Sequence, residues 1–206
     1  MKKIIFLILL IVLPAALAHQ PRLVQDASIE DPVLIKDPEI SKAYYGILEG
    51  SSDYYLLETK TEIPIYINIL VPDIENTPFM STELLDENFD IIYLLDGENF
   101  EWEKFYEPYG RDNYLKGPEL GQHFKSTQNI SAGKYYIKVF NEKNIGPYSL
   151  AIGYIESFPI KEILNVFFIL PIIKILIFDK SYLLLIPLIL IIAYINYRKK
   201  KGGINK

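Results

Sequence analysis

The 206-residue sequence contains no cysteine and only two histidines, His19 and His123. Without cysteine there can be no disulfide, no thiolate nucleophile and no zinc site built on sulfur. Two histidines are too few for a convincing Ser-His-Asp set, and neither Gly-x-Ser-x-Gly, His-Glu-x-x-His nor a phosphate-binding loop occurs. We therefore expect a protein that is not an enzyme.

Basic residues are scarce in the middle of the chain. Residues 19–157 hold 24 acidic and 11 basic side chains, a net charge of −13, whereas residues 158–206 have a net charge of +6. An acidic surface is unsuited to nucleic acid, whose phosphates need compensating cations. A domain of this length can bury a sufficient core without covalent crosslinks. We expect one domain over residues 19–157 and no nucleic-acid partner.

Charge is absent from residues 181–197, SYLLLIPLILIIAYINY, and returns at once in the cluster Arg198-Lys199-Lys200-Lys201. Seventeen uncharged residues are just enough to cross the hydrocarbon core of a bilayer, which is about 30 Å thick. A basic flank is typical of the cytoplasmic side. The pattern predicts a single-pass protein of the cell membrane, with a transmembrane helix over 181–197, residues 19–157 outside and a cytoplasmic tail over 198–206.

The N-terminus is typical of a secretory signal peptide over residues 1–18. Lys2 and Lys3 precede a ten-residue apolar run, Pro14 follows it, and Ala16-Leu17-Ala18 supplies the small residues that a signal peptidase accepts. Cleavage after Ala18 would expose His19 as the first residue. The alternative is an N-terminal anchor that is not cleaved.

Residues 158–180 form a second apolar segment, close to the expected span. Its run 163–178 is interrupted by Asn165, Pro171 and Lys174. One interpretation is a helix that lies in the membrane interface and leads into the span. The other is a span that forms a hairpin with 181–197, which would put the basic cluster outside, against the positive-inside bias. We favour the first.

Helical periodicity is absent from residues 41–155, where short apolar runs alternate with turn residues. In the run 62–71, Ile63, Ile65, Ile67 and Ile69 share one face of a strand. The strands that we predict are 43–48, 54–58, 62–71 and 90–95, then a hairpin of 133–140 and 148–155 across 141–147. Residues 99–125, rich in aromatics and glycine, are expected to be a long loop packed by its own rings.

Several of these runs resemble the bacterial pre-peptidase C-terminal domain over about residues 41–153. The residues that carry the resemblance are Tyr44-Tyr45-Gly46, Asp53-Tyr54-Tyr55, Asp90-Ile91-Ile92-Tyr93-Leu94, Ala132-Gly133-Lys134-Tyr135-Tyr136 and Tyr148-Ser149-Leu150. The resemblance implies a jelly-roll β-sandwich that accompanies secreted or surface proteins and binds rather than catalyses. We thus expect an all-β, jelly-roll-like β-sandwich ectodomain with a C-terminal transmembrane helix, and a protein, glycan or cell-envelope ligand.

Copper binding is the alternative function. If cleavage exposes His19, its imidazole and free α-amine, together with the imidazole of His123, would make a three-nitrogen set suited to Cu(II). The alternative for these residues is an incidental new terminus and an ordinary surface histidine.

Three weaker signals concern ligands and modification. Acidic residues cluster at Asp86-Glu87-Asn88 with Asp90, and at Asp96, Glu98, Glu101 and Glu103, and they predict either oxygen ligands for calcium or a solvated acidic face. The triplet Asn129-Ile130-Ser131 is a glycosylation sequon. Adjacent tyrosines at 44–45, 54–55 and 135–136 should point to opposite faces of their strands, so that the outward rings, with Trp102, form a binding platform or merely satisfy strand propensity.

Overall fold

The computed structural model describes residues 19–108, 110–121, 128–184, 191, 192, 194 and 195. Two facing β-sheets, a separate two-stranded pair and a helix dominate this part of the chain. Within those ranges a six-stranded sheet has the order β1-β3-β13-β6-β10-β9 and a five-stranded sheet the order β2-β4-β12-β7-β8. The pairings β1–β3 and β2–β4 are parallel and the other pairings are antiparallel, so both sheets are mixed. The protein is a β-sandwich, as expected.

The strands of the six-stranded sheet are β1 (Gln20–Leu23), β3 (Lys42–Glu49), β6 (Ile67–Pro72), β9 (Glu103–Glu107), β10 (Asp112–Leu120) and β13 (Ile145–Ile152). Those of the five-stranded sheet are β2 (Val33–Ile35), β4 (Asp53–Thr59), β7 (Ser81–Leu85), β8 (Ile91–Leu95) and β12 (Gly133–Phe140). The short strands β5 (Ile63–Ile65) and β11 (Gln128–Ile130) pair with each other.

The isoleucine alternation in residues 62–71 correctly predicts the core. Ile63, Ile65, Ile67 and Ile69 are all buried in one cluster that lies between the two sheets. The run is not one strand, however, because β5 ends at Ile65 and β6 begins at Ile67, which pairs with different neighbours. A period of two keeps the same face toward the core on either side of this break.

The predicted hairpin of residues 133–140 and 148–155 is wrong. Strand β12 pairs with β4 and β7, whereas β13 pairs with β3 and β6, so the connection crosses from one sheet to the other. Asn141 holds this crossing: its Oδ1 accepts from the N–H of Lys143 (3.1 Å) and of Ile145 (3.2 Å). A turn of this length fits either a hairpin or a crossing, and only the core between the sheets distinguishes them.

The expectation of a long loop over residues 99–125 is also wrong. Strands β9 and β10 lie there; β9 forms one edge of the six-stranded sheet, and β10 pairs with both β9 and β6. The register of β10 against β6 shifts between Lys116 and Glu119, at Gly117 and Pro118. This irregularity breaks the alternation by which strands are recognised in sequence. Strands β1, β7 and β11 were not predicted either.

Helix α1 (Ile160–Leu176) follows the sandwich and packs on the outer face of the six-stranded sheet. Ile173, Ile177 and Phe178 form a second buried cluster with Tyr114 of β10. A short 3₁₀ turn, Ser181–Leu184, comes next. No helix among the described residues is both long and apolar enough to cross a bilayer. The predicted signal peptide, the tail 198–206 and most of the predicted span 181–197 lie outside the described residues.

Candidate functional site

Only one of the two predicted copper ligands lies within the described residues. His19 is half-buried beside β1, and its Nδ1 contacts the hydroxyl of Ser41. His123 lies outside the described part of the chain. Among the described residues no three His, Asp or Glu side chains are placed to hold a metal ion. Copper binding through His19 and His123 stays a prediction.

The acidic clusters use their carboxylates to close turns. Asp86 Oδ1 accepts from the N–H of Asn88 (2.8 Å) and of Asp90 (2.9 Å). Asp96 Oδ1 accepts from the N–H of Glu98 (3.0 Å). Hydrogen bonds lower the pKa of both carboxyl groups below the usual value. The largest effect comes from the Asp90 N–H at Asp86 and from the side chain of Asn99 at Asp96. The carboxylates of Asp86 and Asp96 are therefore already engaged by their own turns, and calcium binding stays a prediction.

The paired tyrosines divide between the faces of their strands as predicted. Tyr44 and Tyr55 are buried in the core and meet edge to face, with ring centroids 5.4 Å apart. Tyr45, next in sequence, packs on the opposite side against the cluster under α1. Tyr136 lies on the outer face of the five-stranded sheet, where it stacks on Phe89 at 4.4 Å. The outward rings of Tyr45 and Tyr136 are thus themselves covered, the first by the cluster under α1 and the second by Phe89.

A chain of buried hydroxyls crosses the sandwich core. Tyr148 donates to Oδ2 of Asp53 (2.5 Å), and the Tyr55 hydroxyl lies 2.6 Å from that of Tyr148. Burial raises the pKa of both tyrosines well above 10 and raises that of Asp53 above its usual 3.8. Because burial disfavours the charged forms and the hydroxyls satisfy one another, this chain joins the two sheets rather than forming a reactive site.

Trp102 is anchored and does not form an open platform. Its indole N–H donates to the carbonyl of Gly97 (2.7 Å), and the ring stacks on Phe79 at 4.8 Å. A side chain at Gly117 would lie 2.4 Å from the ring, so β10 also presses against it. Asn129, the sequon residue, is exposed on β11 and donates to Glu62 (2.8 Å).

Ion pairs fasten α1 to the sandwich at both of its ends. Asp112 of β10, which is 3% exposed, accepts from Lys174 (2.6 Å) and from Lys180. At the other end Arg22 of β1 holds Glu162 through both guanidinium nitrogens, at 2.9 and 3.1 Å. The helix is therefore fixed in one orientation on the sheet.

The side of α1 that faces away from the sheet is also apolar. Five large side chains recur every fourth residue there and are between 44% and 79% exposed. They are Ile160, Leu164, Phe168, Ile172 and Leu176, and we call them the α1 stripe. Residues four apart lie one above another on a helix, so the α1 stripe is continuous over about 25 Å.

A second apolar surface lies on the outside of the five-stranded sheet. Cross-strand pairing places one apolar residue of every strand in a single row: Leu34, Leu56, Tyr136, Leu85 and Ile91. Tyr136 and Leu85 in the middle are buried, while Leu34 and Ile91 at the two ends are exposed. The row ends on β8, where Ile92 and Leu94 are exposed as well.

A cavity of about 450 Å³ lies between β1, β2 and the start of α1. Lys42 at its floor donates to the carbonyls of Lys36 (2.6 Å) and Asp37 (2.8 Å), and burial lowers its pKa. Arg22, also lining it, is already paired with Glu162. The chain itself satisfies the two more buried of the four cations that line the cavity, and the other two, Lys36 and Lys161, are exposed. We therefore consider this cavity a weaker candidate than the apolar surfaces.

No protein-family model matches the chain, and no curated protein matches it. Among solved structures it is similar to the pre-peptidase C-terminal domain of a collagenase from Bacillus anthracis, at 14% identity and a TM-score of 0.33, over 66% of this chain and 94% of that one. The suspected resemblance is confirmed. A β-glucosidase from Paenibacillus barengoltzii matches at 14% identity and a TM-score of 0.28, over 65% of this chain but only 13% of that one. Neither likeness bears on function.

The sequence predicted an apolar helix in the run 163–178 but not the stripe along it, and it did not predict the outer row of the five-stranded sheet, although each surface left a signal. The spacing of four in the α1 stripe is visible in residues 160–176, but the surrounding positions are also apolar and hide it. Residues 91–95 were correctly predicted as a strand. Their position at the edge of a sheet depends on pairing with distant parts of the chain, which the sequence does not display.

Proposed function

We propose that this protein is a membrane-anchored extracytoplasmic module that binds a protein, glycan or cell-envelope ligand and catalyses no reaction. In this proposal the sandwich is a jelly roll, as the resemblance to the pre-peptidase C-terminal domain implies. Residues 181–197 are the anchor, and residues 198–206 are the cytoplasmic tail. The proposed site of action is the outer surface of the cell membrane.

The observation that carries the proposal is the α1 stripe. A helix that is apolar all round is stable where both sides are removed from water. The sheet covers one side of α1, and the other side meets no part of the chain among the described residues. The headgroup and acyl boundary of a bilayer would cover such a side. Since the chain continues into the uncharged run 181–197, α1 would lie in the interface at the start of the anchor.

Membrane extraction tests the anchor. We expect the full chain to stay with membranes through alkaline carbonate washing and a chain that ends at residue 180 to be released. N-terminal mass spectrometry of the same preparation should find His19 as the first residue if the signal peptide is cleaved as predicted. Release of the full chain by carbonate would contradict the anchor.

Site-specific labelling tests the position of α1. The natural chain has no cysteine, so Phe168→Cys gives a single attachment point for a polarity-sensitive fluorophore. In nanodiscs that contain brominated phospholipid, we expect strong quenching of a label at 168. A label at Ile145→Cys, an exposed position at the start of β13, is the matched control and should not be quenched. Equal quenching at the two positions would contradict an interfacial α1.

A further inference from the structure

Strand β8 forms one edge of the five-stranded sheet. It pairs with β7 along one side, and no strand of the described chain pairs with its other side. Its sequence, Ile-Ile-Tyr-Leu-Leu over residues 91–95, carries neither a charge nor a proline. Natural edge strands are usually protected by such residues or covered by another element, because unpaired N–H and C=O groups attract further strands. Among the described residues β8 has neither of these protections, and its one irregularity is the register shift against β7 between Leu84 and Leu85.

The side chains of β8 add an apolar surface to the open edge. Ile91, Ile92 and Leu94 are between 41% and 58% exposed, while Tyr93 and Leu95 point inward and pack in the core. The outer row described above ends at Ile91. An added strand would therefore find main-chain partners on β8 and apolar contacts on the outer face of the same sheet.

Charge on either side of β8 selects between possible occupants. Residues 83–103 contain eight acidic side chains and no basic one. They are Glu83, Asp86, Glu87, Asp90, Asp96, Glu98, Glu101 and Glu103. Glu83 is already paired with Lys138. Two copies of this chain that met edge to edge through β8 would still bring together the acids that directly flank the strand, such as Asp90 and Asp96, and like charges across an interface oppose association. A segment with basic residues beside an apolar centre would instead be attracted.

We propose that β8 is a docking edge for an extended segment of a partner protein, which adds as a sixth strand and carries basic residues on both sides of an apolar centre. Main-chain hydrogen bonds supply affinity in this mode of recognition, and the exposed side chains and flanking acids supply specificity. The inference rests on the proposed function, a binding module, and names the chemistry of its partner. It does not depend on the position of α1.

Synthetic peptides test the docking edge with the full chain held in detergent micelles. The probe is a peptide of alternating valine and threonine with two lysines at each end. We expect it to bind, and a version with glutamate ends to bind at least about tenfold more weakly. Added salt should weaken the lysine version, because exposed charges are screened. A lysine version with N-methyl groups on every amide of its apolar centre should not bind, since neither of its edges can donate hydrogen bonds to the ladder.

Two variants test whether the peptide binds at β8. Leu94→Lys puts a charge on the open edge and should weaken peptide binding by at least about tenfold. Leu34→Lys is the matched control, an equally exposed leucine on the outer face at the opposite edge of the same sheet, and it should bind as the natural chain does. Both positions are exposed, so both variants should fold, which thermal unfolding checks.

Three results would overturn the proposal: binding that Leu94→Lys does not change, equal binding of the lysine and glutamate versions, or dimerisation through β8 with no peptide binding. Each of these leaves carbonate extraction unaffected. A failed docking edge can thus be told apart from a failed anchor.

Discussion

Lys174 in α1 and Asp112 in β10 are 62 residues apart in sequence, yet their Nζ and Oδ2 atoms lie 2.6 Å apart in the interface between helix and sheet. Lys180 reaches the other oxygen of the same carboxylate. One buried aspartate thus holds two of the three lysines of the apolar segment 158–180. These lysines fasten the helix to the sandwich.

Replacement of this aspartate should loosen α1. Asp112→Asn leaves two partly buried ammonium groups without their counter-ion, and breaking such a pair costs about 3–5 kcal/mol. Denaturant unfolding of the full chain in detergent should show the loss, and amide hydrogen exchange should show that α1 opens first. The control is Asp73→Asn, whose partner Lys104 is 82% exposed, and its effect should be below about 1 kcal/mol. Equal losses of unfolding free energy in the two variants would contradict the role of Asp112 in holding α1 to the sheet.

The hydroxyl chain through the core should show coupling between its members. Tyr148→Phe removes the group that joins Tyr55 to Asp53, and we expect a loss of about 1–2 kcal/mol in the free energy of unfolding. Tyr55→Phe should cost less, because its hydroxyl meets only that of Tyr148 in this chain. The double variant should cost less than the sum of the single ones, as expected for groups in one network. Strict additivity would show that the hydroxyls act independently.

Asp53 should make the protein more stable in acid through its own titration. Burial raises its pKa in the folded state above 3.8, so the folded state binds more protons than the unfolded state between the two values. Stability from this group therefore falls as the pH rises through that interval. Asp53→Asn should accordingly have a higher free energy of unfolding than the natural chain at about pH 7. This difference, measured by denaturant unfolding, should shrink at about pH 3.

Asp86 is a matched carboxylate whose pKa shifts in the opposite direction. Hydrogen bonds, first from the Asp90 N–H, lower its folded pKa, so its contribution is present above the usual pKa and is lost as the pH falls through the lowered one. Asp86→Asn should therefore be less stable than the natural chain at neutral pH, and the difference should disappear in acid. If both variants change in the same direction with pH, the assignment of Asp53 is wrong.

Gly117 should not tolerate a side chain. A Cβ there would lie 2.4 Å from the ring of Trp102 and 2.9 Å from the carbonyl of Ile69. Gly117→Ala should cost about 1–3 kcal/mol through overpacking and shift the emission of the chain's single tryptophan. The control is Gly133→Ala, whose nearest neighbour is the side chain of Tyr135 at 3.3 Å, and it should leave both emission and stability nearly unchanged.

The local sequence pattern was sufficient to predict most strands in which inward and outward residues alternate regularly. Residues 43–48, 54–58 and 91–95 lie in strands as predicted, and the inward faces of Tyr44, Tyr55 and the isoleucines follow from a period of two. The pattern failed at β10, where Gly117 and Pro118 interrupt the alternation. It also failed at the turn of Asn141, because a turn of that length does not reveal whether the next strand joins the same sheet.

The candidate surfaces were less predictable than the strands. The acidic clusters were visible in sequence, but their relation to an open edge at β8 depends on strand order, which pairings between distant residues determine. The same holds for the row from Leu34 to Ile91, since its members come from five separate strands.

The sequence by itself determined that the chain has no disulfide, that an acidic β domain precedes an apolar, basic C-terminus, and which face of each regular strand points inward. Composition and short-range periodicity carry that information directly. Only the tertiary structure decided that α1 is clamped to the sheet by Asp112, that β12 and β13 belong to different sheets, and that β8 lies at an edge. Those facts depend on contacts between residues far apart in the chain, which form together as the core closes and which no single stretch encodes.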